Sequence, residues 1–160
     1  MTNATPRRTV HYRDLPSLVG VTLPPSDWVL VDQALIDRFA DLTGDHQWIH
    51  VDVVRARAEI GGTIAHGFLT LSLMPVLAKQ ILAIDGVGRA LNYGFEKIRF
   101  TGTVPAGSRV RLMQTIAKVE DKSGGRLVTR SSSIEVERPD GVPAAKPVLV
   151  SDWLGLYFPE

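Results

Sequence analysis

The hydrophobic pattern divides the chain near Gly86-Val87-Gly88. Beyond it, apolar and polar residues alternate with period two, the signature of half-buried strands. Four long strands are predicted, over residues 89–100, 108–120, 126–137 and 148–158. Turn-forming clusters separate them: Pro105-Ala106-Gly107, then Asp121-Lys122-Ser123-Gly124-Gly125, then Pro139-Asp140-Gly141 with Pro143. The second cluster reads as a hairpin turn, because glycine adopts positive φ at little cost. Upstream, Leu35, Ile36, Phe39, Ala40 and Leu42 recur at helical spacing, with Asp37 and Asp41 off the stripe. Asp32 fits the N-cap of that helix and Gly44 the position just past its end. Residues 28–31 read as a short strand, residues 12–19 as a turn or short helix ending at Gly20, and residues 51–58 as a short helix closed by Gly61-Gly62. Residues 45–49 are expected to be irregular, and residues 1–8 disordered.

The longest apolar run starts at His66 or Gly67 and extends to about residue 84. Apolar on most faces, it predicts a buried central helix. Pro75 removes one backbone hydrogen bond and should bend that helix near Leu71. One such helix followed by an antiparallel meander implies an α+β fold with the sheet curled around the helix.

Composition narrows the function classes. At 160 residues the chain is expected to form one domain spanning 1–160. A net charge of +1 gives no basic footprint for nucleic acid. The absence of cysteine excludes disulfides, thiolate metal sites and a cysteine nucleophile. The first residues lack the apolar stretch of a secretory signal, and Ser72, Pro75, Lys79 and Gln80 interrupt the apolar run, so no membrane span is expected.

Candidate chemistry concentrates between Asp45 and Gly67. Asp45 and His50 lie five positions apart. On a helix they would point about 140° apart, and in a strand they would stand roughly 16 Å apart. They can cooperate only if a loop folds them together or a substrate lies between them. An imidazole exchanges protons near neutral pH, and a carboxylate beyond a helix C-terminus, if partly buried, is suited to proton transfer. On spacing alone a structural Asp–His hydrogen bond, or two surface residues, is the better account of the pair. Gly67, in the first helical turn, offers a backbone N–H without an intrahelical partner and no side chain to block an approaching carbonyl. Such a donor stabilises a developing oxyanion. The plainer alternative is that Gly67 permits tight packing while His66 caps the helix. His46 and His50 make a poor metal site, with no cysteine and few acids nearby. Asn92 and Tyr93 could line a cleft, although an internal hydrogen bond would also explain Asn92. Arg55, Arg57, Lys97 and Arg99 could meet phosphates or stay solvated. Trp48 is expected to cover the loop.

Taken together, Asp45-His46-Gln47-Trp48-Ile49-His50-Val51-Asp52 and Ile64-Ala65-His66-Gly67-Phe68 resemble the MaoC-like dehydratase family, which includes the (R)-specific enoyl-CoA hydratases, and most closely its nodulation-protein-N-like branch. The likeness extends through Leu91-Asn92-Tyr93-Gly94 and Val104-Pro105-Ala106-Gly107-Ser108. The resemblance implies a hot dog fold, and a homodimer joined through sheet edges. It implies reversible syn addition of water to a trans-2-enoyl-CoA, with no cofactor beyond the coenzyme A of the substrate, in the cytoplasm. Asp45 and His50 would hold and activate the water and Gly67 N–H would bind the thioester oxygen, with Gln47, His66, Asn92 and Tyr93 as further substrate contacts. Departures from the commoner pattern are Gln47 where many relatives have Asn, Trp48 where many have Pro, and Pro75 where some short-chain hydratases have Ser. A thioesterase of the same fold, or a non-catalytic acyl-thioester binding subunit, is the competing expectation.

Overall fold

A computed structural model describes residues 7–160. Seven strands and five α-helices are present among them: β1 Arg8–His11, β2 Val29–Val31, α1 Gln33–Thr43, α2 Trp48–Val51, α3 Val53–Ile60, α4 Gly67–Ser72, α5 Met74–Ile81, β3 Leu82–Asp85, β4 Val87–Phe100, β5 Ser108–Lys122, β6 Gly125–Glu137 and β7 Leu149–Pro159. A 3-10 helix, Tyr12–Leu18, follows β1.

The main sheet has five strands in the order β2-β5-β6-β7-β4, with all its neighbours antiparallel. The β5–β6 hairpin closes at Lys122 opposite Gly125 through Ser123 and Gly124, both at positive φ. Inward-facing Val110, Leu112, Ile116, Val128, Ile134 and Leu149 form the wall of the core. Against it pack Leu69, Leu73, Met74, Leu77 and Ile81 from α4 and α5. The four strands and the turn between β5 and β6 lie where the alternation put them, and Asp32 caps α1 by accepting from Leu35 N at 2.8 Å. Gly44 ends α1 at φ 77°.

Five expectations need correction. The central helix does not run unbroken to residue 84. It is interrupted at Leu73, and Pro75 opens α5 instead of bending a continuous helix near Leu71. Proline has a favourable place in a first helical turn, so the chain restarts there. Second, α5 ends at Ile81, because residues 82–85 pair in parallel with β1. Third, that pairing orders Arg7 and Arg8, which the sequence suggests are disordered; Arg7 N donates to Gln80 O at 3.0 Å. Residues 1–6 lie outside the described residues. Fourth, the helix expected over 51–58 begins two residues later, after the separate turn α2, which already takes Trp48 and Ile49 out of the irregular segment. Fifth, Leu42 is 84% exposed and stands off the buried face made by Ile36 and Ala40.

The central helical segment is not covered on all sides. Phe68 on α4 is 67% exposed, and Leu91, Tyr93 and Phe100 on the edge strand β4 are about half exposed. No helix among the described residues is long and apolar enough to cross a membrane.

Candidate active site

The site is assembled where three chain segments meet. Gly44, in the left-handed conformation, turns the chain out of α1 and delivers Asp45. The single turn α2 then lifts His50 inward, where only 6% of its surface remains exposed. The segment before α4 lies against the loop after β4, with Ala65 N donating to Val104 O at 2.8 Å and Ala106 N to Thr63 O at 2.9 Å. That pairing fixes where α4 starts, and so places Gly67.

The loop solves the spacing problem posed by Asp45 and His50. A carboxylate oxygen of Asp45 and a ring nitrogen from each of His50 and His66 lie within 4.8 Å of one another. His50 Nδ1 sits 2.7 Å from the Ile64 carbonyl oxygen. A carbonyl can only accept, so Nδ1 carries a proton, and in the neutral ring Nε2 keeps its lone pair. By the same logic His66 Nε2 donates to Asp45 O at 2.9 Å, leaving His66 Nδ1 buried and without a hydrogen-bond partner. The two imidazoles stack at 3.7 Å with 25° between their planes, and Phe39 packs on the far side of His66. His66 therefore does not cap α4 with its side chain. It ties the Asp45 loop down and supports the His50 ring.

One carboxylate and two imidazoles make a donor set of the kind that can hold a metal ion. One nitrogen of each ring is already engaged, His50 Nδ1 with the Ile64 carbonyl and His66 Nε2 with that of Asp45.

Gly67 is the first residue of α4, so its N–H has no acceptor within the helix. It shares a cavity of about 480 Å³ with His50, Thr70, Phe100, Val104 and Val148. A Cβ at Gly67 would meet the Phe100 ring at 3.0 Å. Because α4 is only six residues long, the local N–H groups of its first turn matter more than a long dipole. Asp45 is exposed and does not line the cavity wall, but its carboxylate approaches the imidazoles from the solvent side.

The remaining candidates are dispersed. Gln47 is exposed; its backbone N lies 3.4 Å from Asp45 Oδ1, and its side chain makes no cap. Asn92 accepts from the Trp153 indole and lines a different cavity. Tyr93 lies under the Lys122 ammonium, 4.6 Å from the ring centroid. Arg55 stacks on Trp48 at 4.1 Å and pairs with Glu59 at 2.8 Å. Arg99 donates to the carbonyl of Ile98, and Lys97 borders a shallow pocket with Ser131 and Asp152. Arg57 is exposed and does not line the cavity shared by His50 and Gly67.

Sequence reasoning missed one residue that holds the site together. Gln33, in the first turn of α1, donates from Nε2 to the His50 carbonyl at 2.8 Å and to Asp37 Oδ1 at 2.7 Å. Its Oε1 accepts from the Thr63 hydroxyl. Nothing in the local sequence signals this, because its partners lie 17 and 30 positions away.

His46 faces outward and bonds Asp41 Oδ1 at 2.9 Å. That hydrogen bond to Asp41 raises its pKa above the ordinary histidine value. A raised folded value means that the pair contributes fully below the ordinary histidine range and loses its contribution as pH rises through the folded value. Proton NMR titration is expected to show one histidine titrating high, returning to the ordinary range in Asp41→Asn. A His46 resonance that does not move in the variant would contradict this.

Comparison with known proteins bears on the family and the fold. Residues 15–137 match the family described as MaoC like domain. The 3-hydroxyacyl-thioester dehydratase Z of Mycobacterium tuberculosis (strain ATCC 25618 / H37Rv) is 46% identical over 146 residues, covering 90% of this chain and 93% of that protein. Nodulation protein N of Rhizobium leguminosarum bv. viciae is 40% identical over 152 residues, covering 88% and 87%. Among solved structures, the (R)-hydratase from A. caviae involved in PHA biosynthesis superposes with a TM-score of 0.66 at 21% identity, covering 86% of this chain and 94% of that one. At that identity the likeness speaks for the fold, a curled antiparallel sheet around helices of the hot dog type.

Proposed function

The chain belongs to the MaoC-like dehydratase family, and from that premise we propose that it is an (R)-specific enoyl-CoA hydratase, adding water reversibly and syn across the C2=C3 bond of a trans-2-enoyl thioester. The observation that carries the reading is that a carboxylate oxygen of Asp45 comes within 4.8 Å of a ring nitrogen of His50, and His50 in turn lines one cavity with Gly67. Water held between Asp45 and the free Nε2 of His50 is positioned to attack C3. One member of the pair takes the water proton as the new C–O bond forms. The other member, or the same one after the transfer, delivers a proton to C2 on that face, and the double bond becomes single. The negative charge that develops on the thioester oxygen is met by Gly67 N–H, on a residue with no side chain of its own. The relative named as a 3-hydroxyacyl-thioester dehydratase supports the same chemistry run in the reverse direction.

The purified protein should consume the enone-like absorbance of a trans-2-enoyl-CoA and yield the (R)-3-hydroxy product by chiral analysis. Loss of absorbance with an (S) product would refute the stereochemical assignment. Release of free thiol without hydration would replace it with thioester hydrolysis.

The active form is a homodimer in this reading. Among the described residues the outer edge of β4 pairs with no strand, and exposed Leu91, Tyr93 and Phe100, with Phe68 packed on Phe100, leave an apolar strip along it whose Phe100 end lies beside the cavity. A second copy pairing edge to edge would cover that strip and narrow the cavity mouth. Light scattering should give twice the chain mass, and Phe68→Glu should shift it toward the monomer. A monomeric wild type at micromolar concentration would end this part of the proposal.

A further inference from the structure

A second cavity, of about 510 Å³, opens at the other end of the central helical segment, between α5, β3, β4 and β7. Its size falls within the range of small-molecule sites. Much of its wall is apolar, from Pro75, Ala78, Leu82, Ile84 and Leu91. Its floor holds an unusual group. Arg130 lies on the inward face of β6, in alternation with Val128, Ser132 and Ile134, and only 5% of its surface is exposed.

No carboxylate pairs with Arg130 among the described residues, and its Nε is buried without a hydrogen-bond partner. One terminal NH2 donates to the Tyr157 hydroxyl, and the guanidinium lies 5.3 Å from the Trp153 ring centroid. A buried ion with neither counter-ion nor full hydrogen bonding is costly, and breaking its pairing is among the most damaging changes a core can suffer. The cavity lining adds Lys79 and Arg89 at its rim and contains no Asp or Glu. Asn92 spends its carbonyl on the Trp153 indole, which leaves its amide hydrogens to donate. Three cations, a donating amide and apolar walls describe the complement of an anionic head on an apolar body. The planar fork of a guanidinium matches a carboxylate, the smaller of the two anions it pairs with bidentately, the other being phosphate.

We propose that the cavity between α5 and β4 binds the carboxylate of an apolar molecule, with Arg130 as its counter-ion. The carboxylate could belong to a free amphiphile or to the distal end of a dicarboxylic acyl thioester. The first source does not depend on the hydratase reading, and the second rests on it.

The test uses octanoate and 1-octanol as probes, titrated into the wild-type protein by calorimetry. Octanoate is expected to bind about ten- to a hundredfold more tightly, the range of a charge-assisted hydrogen bond. Arg130→Met, close in volume and free of charge, should bind both probes alike while melting no lower than wild type, since an unpaired buried charge has been removed. In the second arm, kcat/KM is compared for an enoyl-CoA with and without a terminal carboxylate. A preference for the carboxylated chain that disappears in Arg130→Met identifies the substrate as the source. Octanoate selectivity without that preference identifies a free carboxylate. Absence of both preferences in wild type, or their survival in Arg130→Met, overturns the proposal. Should Arg130→Met fail to fold, the wild-type comparison of octanoate with octanol decides alone.

Discussion

Asp45→Asn and His50→Gln are each expected to lower kcat/KM for enoyl-thioester hydration by about 10²–10⁴-fold, the usual yield of positioned acid–base catalysis. Both substitutions can preserve the local hydrogen bonds, although His50→Gln gives up the stacking on His66. The Asn side-chain oxygen can still accept from Gln47 N, as Asp45 Oδ1 does at 3.4 Å. A Gln amide can donate to the Ile64 carbonyl that now takes the proton of His50 Nδ1. What disappears is the negative charge in one case and the Nε2 lone pair in the other. The double variant should be little worse than the poorer single one, because the two groups act on one water. Steady-state kinetics with thermal melts would separate chemistry from folding. Wild-type rates in both correctly folded variants would remove the mechanism.

The second large effect is expected at Gly67. Gly67→Pro removes the N–H proposed to meet the thioester oxygen and should cost about 10²–10³-fold in kcat, as loss of a single oxyanion donor does. The backbone tolerates the change better than a mid-helix position would. Proline is favoured at a first helical position. The preceding residue, His66, already lies at φ −58° and ψ 137°, a conformation that X-Pro prefers. The control is Gly67→Ala. It introduces the same Cβ, 3.0 Å from the Phe100 ring, but keeps the N–H. Phe100 is half exposed and has room to give way, so alanine should cost far less than proline. Equal losses in the two variants would show that crowding, not the donor, governs this position.

The contrast between what the residue pattern revealed and what it hid follows range of interaction. Caps and turns were legible because their physics is local: Asp32 reaches Leu35, and Ser123-Gly124 reverse the chain within one hairpin. The strands were legible because alternation reports a sheet with one buried face. The break at Leu73 and the end of α5 were hidden, since an apolar run of this kind does not distinguish one long helix from two short ones followed by a strand. The partner that makes residues 82–85 a strand lies in Arg8–His11, more than seventy positions earlier. Within the site, Asp45, His50 and Gly67 stood out by residue type and resemblance. The part played by His66 did not, because stacking on His50 and bonding to the Asp45 carbonyl are both tertiary. Arg130 left a signal that went unread: a charged residue in phase with Val128, Ser132 and Ile134 on an inward-facing strand register.

The Gln33 amide has its polarity fixed at both ends. Its nitrogen lies between two acceptors, the His50 carbonyl and the Asp37 carboxylate, and its oxygen faces the Thr63 hydroxyl. Exchanging that NH2 for oxygen, as deamidation to Glu would, alters the side chain's shape hardly at all yet sets a negative charge against both acceptors. Chemical ageing at this one amide would therefore loosen the seat of His50 while every reacting group stayed intact.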